Sequence, residues 1–194
     1  APLRAGGPDW QGKRAVVLGC GGSARAVVAA LVELGCGSIE VAGRNAAKQE
    51  ALLASCRSWA PQLEALTWQP QSTQPCQSTG LESALAEARL VVNTTPVGMA
   101  SASDPGAASR CPLSPVELEA LQPQSCVYDL IYTPRPTALL AAAAARGCET
   151  LDGLEMLVQQ GAAALRQWSG IDAVPVAAMR AAALAQLSPP GTGP

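Results

Sequence analysis

The 194 residues carry 13 lysines and arginines against 15 aspartates and glutamates, with 48% hydrophobic side chains. That length suits about one domain around one sizeable core. The slightly acidic balance excludes the basic face of a nucleic-acid binder. The longest uncharged run, around Ala138 to Ala145, is too short and too alanine-rich to span a bilayer.

No signal-peptide pattern opens the sequence, so the expected location is cytoplasmic. The seven cysteines (Cys20, Cys36, Cys56, Cys76, Cys111, Cys126 and Cys148) are scattered, odd in number and without a CxxC pair. They read as small buried residues in a reducing compartment, not as a disulfide frame or zinc site. There is no histidine, which removes the commonest metal ligand and the commonest neutral-pH acid/base. No metal is expected. Acid/base chemistry would fall to Lys, Asp, Glu or Tyr.

In chain order, residues 1–12 read as a Gly/Pro-rich hinge or tail, 13–187 as one domain and 188–194 as a disordered tail. Arg14-Ala15-Val16-Val17-Leu18 is a buried strand. A helix follows from Ser23 to Leu34, with its apolar face at Val27, Ala30, Leu31 and Leu34, ended by Gly35 and Gly37. Ser38 to Ala42 is a second strand. Asn45 caps a second helix running to about Trp59, and Leu63 to Trp68 is a third strand. Gln69 to Gly80 is a polar surface excursion. Leu81 to Ala88 is helical, and Leu90 to Asn93 is a fully buried strand. Thr94 to Pro112 is a long loop, of a length that is often functional. Ser114 and Glu117 form a capping box for a helix through Leu121. Then come a strand at Ser125 to Leu130, an alanine-rich helix from Thr137 to Arg146, a strand at Cys148 to Leu151, and helices at Gly153 to Trp168 and Val174 to Leu187. This alternation predicts an α/β fold of the Rossmann type: a doubly wound, mostly six-stranded parallel sheet with helices on both faces.

Four stretches carry chemistry. The first is Gly19-Cys20-Gly21-Gly22-Ser23, between the first strand and first helix. A glycine turn there lets a pyrophosphate approach the backbone and meet the positive end of the helix dipole. The spacing is G-x-G-G-x-A, and a short glycine match alone also fits an ordinary strand–helix turn. The second is Gly43-Arg44-Asn45 with Lys48, at the end of the second strand. NAD sites carry a carboxylate at that tip for the ribose hydroxyl. None is present here, and Glu40 lies too early. Arg44 and Lys48 instead suit a 2′-phosphate, which points to NADP, although the pair alone also fits two solvated charges at a helix start.

The third is Asn93-Thr94-Thr95-Pro96-Val97-Gly98-Met99, at the carboxyl edge where open α/β sheets bind ligands. Tyr132, past the strand ending near Leu130, can offer its hydroxyl to a ligand at the same edge. The fourth is Asp152-Gly153-Leu154-Glu155-Met156-Leu157-Val158-Gln159-Gln160. Helical spacing sets Gly153, Met156, Leu157 and Gln160 on one side, where Gln160 is either a ligand contact or a satisfied core amide.

Taken together, GKRAVVLGCGGSARAV, the Gly43-Arg44-Asn45/Lys48 segment, NTTPVGM, YDLIYTPRPT and DGLEMLVQQGAAALRQWSG resemble the cofactor half of the shikimate dehydrogenases, over about Gly12 to Leu187. The resemblance implies reduction of 3-dehydroshikimate to shikimate with NADPH. It places Gly19 to Ser23 at the pyrophosphate, and Gly43, Arg44, Asn45 and Lys48 at the adenosine 2′-phosphate. Thr95, Pro96, Val97, Leu130 and Gly153 fall on the cofactor, and Tyr132 and Gln160 on the substrate. The family commonly has Asn-Arg-Thr where this chain has Gly43-Arg44-Asn45, and Met at the place of Leu130. It also begins with a substrate domain that supplies a catalytic Lys–Asp pair. Nothing here resembles that domain, so no catalytic residue is expected in this chain. The expected partners are a small-molecule substrate and the substrate domain of the same enzyme, with no nucleic acid, membrane or metal. Alternatives are a quinate/shikimate dehydrogenase and a non-catalytic NADP-binding module.

Overall fold

In the computed structural model the described residues are 3, 9–68 and 80–187. Six parallel strands form one sheet: β1 (Arg14–Leu18), β2 (Ser38–Gly43), β3 (Leu63–Thr67), β4 (Leu90–Asn93), β5 (Cys126–Asp129) and β6 (Glu149–Leu151), in the spatial order β3-β2-β1-β4-β5-β6. The helices are α1 (Gly22–Glu33), α2 (Ala46–Cys56), α3 (Gly80–Glu87), α4 (Pro115–Ala120), α5 (Ala138–Ala145), α6 (Leu154–Ser169) and α7 (Val176–Leu187).

Alternate residues of each strand point to opposite faces, so the sheet supports two cores. Ala15, Val17, Ile39, Val41 and Val92 pack under α1 and α2 with Val28, Leu31 and Leu52. Val16, Leu18, Val91 and Val127 pack under α3 and α5 with Leu81, Leu85, Leu139 and Leu140. Both faces being covered explains why β1 and β4 read as continuous apolar runs rather than alternating ones.

The strands and helices fall where the sequence places them, with ends shifted by a few residues. The apolar face of α1 differs. Its buried stripe is Ala24, Val28 and Leu31, the i, i+4, i+7 line that meets the sheet. Val27 and Leu34 pack half-buried against that core, and Ala30 is exposed on the cavity between α1 and α6. In the stretch read as a hinge or tail, Leu3 and Trp10 are buried, and Trp10 Nε1 donates to the Leu3 carbonyl at 2.9 Å. The rest of that stretch, the polar excursion up to residue 79 and the tail from Ser188 lie outside the described residues.

The last helix rests on α6. Gly161 makes room for it, since a β-carbon there would come within 3.1 Å of Met179 Cε. Arg180 reaches back to clasp Glu155 with two bonds of 2.7 Å. No residue of α7 is fully buried. Val176, Met179, Ala183 and Leu187 form its half-covered side.

Candidate cofactor crevice

The strand order reverses at β1, which pairs in parallel with β2 on one side and with β4 on the other. Loops diverge above that point and leave a crevice at the carboxyl edge. Gly19 leaves β1 with φ +104° and donates its N–H to the Ala42 carbonyl at 2.8 Å. A β-carbon there would also come within 2.7 Å of Thr94 Oγ1. Only glycine satisfies both demands. Gly21 and Gly22 are different: β-carbons on them would meet nothing within 4 Å. Packing does not require those glycines, so the open space before them is room for a ligand. The first turn of α1 holds no acidic residue, and no side chain caps it. Its amides and dipole are therefore available to an anion.

Cys20 joins this turn to the next strand. Its Sγ lies where a β-carbon on Gly43 would approach within 3.1 Å. Asn45 is committed locally: its Oδ1 accepts from Lys48 N at 2.9 Å, capping α2. Arg44 and Lys48 are exposed beside it. The Arg44 guanidinium carbon stands 5.9 Å from the centroid of the Trp68 ring.

On the other side of the switch point a buried polar network holds the β4 and β5 loops. Asn93 and Asp129 are both fully buried. Asp129 Oδ1 accepts from Asn93 Nδ2 at 2.9 Å and from Ile131 N at 3.1 Å, and its Oδ2 accepts from Thr137 Oγ1 at 2.8 Å. Asn93 Oδ1 in turn accepts from Thr95 N at 3.0 Å and Thr95 Oγ1 at 2.7 Å. Burial pushes the Asp129 carboxyl up from its ordinary value, opposed by these donors. Ala100 N donates to the Thr133 carbonyl at 3.1 Å and ties the two loops again.

The start of α6 closes against the same loops. Gly153 N donates to the Ile131 carbonyl at 3.1 Å, and a β-carbon on Gly153 would overlap the Leu130 carbonyl oxygen. Between α1 and α6 lies a cavity of about 480 Å³, where Ser23, Val27 and Ala30 face Leu130, Met156 and Gln160. The structure thus brings Ser23, Leu130 and Gln160 to one cavity. Gln160 is exposed there, not a core amide. Tyr132 and Met99 are exposed on the β5 and β4 loops, 38% and 47% accessible, and do not line this cavity. Pro96 is exposed and Val97 half-buried on the β4 loop. Buried Tyr128, also on the cavity wall, has its hydroxyl pushed up to about 12 by desolvation and stays neutral.

Sequence reasoning passed over Trp68 and the Asp129 network. The signal for Trp68 was register: Gly43 pairs with Thr67, so the next residues on both strands leave the sheet together. Among the described residues no group of three His, Cys, Asp or Glu side chains is placed to hold a metal, and no helix is long and apolar enough to cross a membrane.

The strand order and the glycine turn at the reversal define a dinucleotide-binding domain of the doubly wound class. Residues 153–184 match the family model of the shikimate 5′-dehydrogenase C-terminal domain. A shikimate dehydrogenase (NADP(+)) of a Synechocystis species is 45% identical over 188 residues, covering 96% of this chain and 60% of that protein. A quinate dehydrogenase of Corynebacterium glutamicum in complex with NAD superposes with a TM-score of 0.75 at 30% identity, over 94% of this chain and 58% of the other. A shikimate 5-dehydrogenase of Listeria monocytogenes, in complex with shikimate and NAD, gives 0.75 at 27% identity, over 93% and 58%. The chain belongs to the shikimate dehydrogenase family and corresponds to its C-terminal domain. It spans about 60% of the length of the curated relatives that it matches.

Proposed function

We propose that this chain is the NADP-binding part of a shikimate dehydrogenase, acting in the reduction of 3-dehydroshikimate to shikimate. The observation that carries the reading is the pairing of open space before Gly21 and Gly22 with an arginine, not a carboxylate, at the tip of β2. Gly19 to Ser23 would hold the pyrophosphate through backbone amides. Arg44 and Lys48 would hold the 2′-phosphate, with Gly43 and Asn45 shaping that end. Thr95, Pro96, Val97, Leu130 and Gly153 would border the nicotinamide end. The bound coenzyme supplies the hydride. The residues here bind it, orient it and shield one side of it, while Tyr132 and Gln160 reach towards the substrate.

No acid/base pair is assigned to this chain. The catalytic Lys–Asp pair belongs, on this reading, to a substrate domain in the part of the relatives that the chain does not span. The exposed Trp168 and Ile171 at the end of α6, 81% and 59% accessible, support a partner surface on that side. The free thiols of the described cysteines support a reducing, cytoplasmic setting. The match to a quinate dehydrogenase keeps a quinate/shikimate enzyme as the second reading. Turnover assays test the account: the chain alone should reduce no 3-dehydroshikimate, and adding a substrate domain from a relative should restore NADPH oxidation. Full turnover by the lone chain, or none in the mixture, would count against it.

A further inference from the structure

Arg44 and Trp68 leave neighbouring strands side by side because Gly43 pairs with Thr67. Trp68 is 4% exposed and its orientation is fixed from the other end. Its Nε1 donates to Glu117 Oε1 at 3.1 Å. Glu117 is itself held by the α4 capping box: its Oε2 accepts from Ser114 N at 2.7 Å, and its own N donates to Ser114 Oγ at 3.3 Å. The indole is thus clamped between β3 and α4, with the Arg44 guanidinium carbon 5.9 Å from its centroid. That is within range of a cation–π contact. Donation from the indole to a buried carboxylate enriches the ring and makes it a better partner for a cation.

A guanidinium held over a ring in this way spends no N–H donor on the contact, and those donors are the ones that match phosphate oxygens. A long side chain already resting on a platform also loses less rotamer freedom when it meets its ligand. We propose that Trp68 is a positioning residue that presets Arg44 for a phosphate monoester, and so sets the preference of this site for the 2′-phosphorylated coenzyme. The inference rests on the coenzyme reading above. It assigns the selectivity to a pair, the arginine and the ring beneath it.

The test is calorimetric titration of the chain with NADP and with NAD, for wild type, Trp68→Leu and Trp68→Phe, each with Arg44 intact and with Arg44→Ala. A cation–π contact of ordinary strength predicts that Trp68→Leu lowers the NADP-to-NAD preference about two- to fivefold, with NAD affinity unchanged. Trp68→Phe, which keeps a ring, should retain most of the preference. With Arg44→Ala in place, changing Trp68 should alter the preference no further, because the ring acts through that side chain. Should Trp68→Leu fail to fold, Trp68→Met fills the volume without a ring and takes its place. A merely structural role would lower both affinities together, and that result overturns the proposal. So does an unchanged preference, or a loss that persists in the Arg44→Ala background. A wild-type chain without preference for NADP would instead overturn the coenzyme reading and this inference with it.

Discussion

Asn93 Nδ2 donates to Asp129 Oδ1 at 2.9 Å across the β4–β5 pair, with both side chains fully buried. Through this bond the two loops bordering the crevice are set by one carboxylate. Asp129→Ala would leave Asn93, Thr137 and the Ile131 amide without their acceptor. Stranding buried donors makes the expected loss on the order of 3 kcal/mol in urea unfolding. Asp129→Asn should cost less, since the Thr137 hydroxyl can turn to accept from the new amide. The sign with pH follows from the raised carboxyl. A carboxyl raised on folding stabilises at low pH, and that contribution is lost as pH rises through its folded value. Asp129 is therefore not the group that drives acid unfolding, and Asp129→Asn, which removes that low-pH contribution, should make the acid limb of the stability curve steeper than in wild type.

The glycines separate packing from binding. Gly22 is the first residue of α1, with open space where a β-carbon would stand. Gly22→Ala should raise stability by roughly 0.4–1 kcal/mol through the unfolded chain, yet weaken coenzyme binding by filling the space before the turn. Gly153→Ala should do the opposite to the fold. Its β-carbon overlaps the Leu130 carbonyl oxygen, and overpacking of this kind costs about 1–3 kcal/mol. Thermal unfolding and titration of both variants check the contrast.

How much was legible beforehand follows from which forces are local. The strands and helices were readable because apolar runs, the Asn45 and Ser114 caps and the glycine stops are written in neighbouring residues. The doubly wound parallel sheet was readable from the βα alternation, since parallel crossovers have one hand. The buried line of α1 was only partly legible because Val27 and Val28 are equally apolar; packing on the sheet, not the local sequence, decides which of them is fully buried. Trp68 was missed because its partners, Arg44 and Glu117, are brought to it by β2–β3 register and by a helix 49 residues away in the chain. Asn45, read as part of the phosphate site, spends its side chain on capping α2.

The attachment of α7 should be sensitive to strong acid only. The Arg180 fork, helped by Gln159, holds the Glu155 carboxyl down to about 2 from an ordinary 4.5. A depressed carboxyl stabilises above its unfolded value and loses that contribution as pH falls through its folded one. Protection of the amides across 176–187, the exchange rate relative to that of the unfolded chain at the same pH, should therefore hold at pH 5 and fall as pH drops from about 4.5 towards 2. Arg180→Met should make that protection low and independent of pH over the same range.

The most direct test of the central claim is calorimetric titration of the chain with NADP and NAD, before and after Arg44→Ala. Wild type should prefer NADP. The substitution should remove roughly 1–3 kcal/mol of NADP affinity, as for a lost charge-assisted bond, and leave NAD binding nearly unchanged. Equal losses for both coenzymes, or no binding of NADP at all, would contradict that claim.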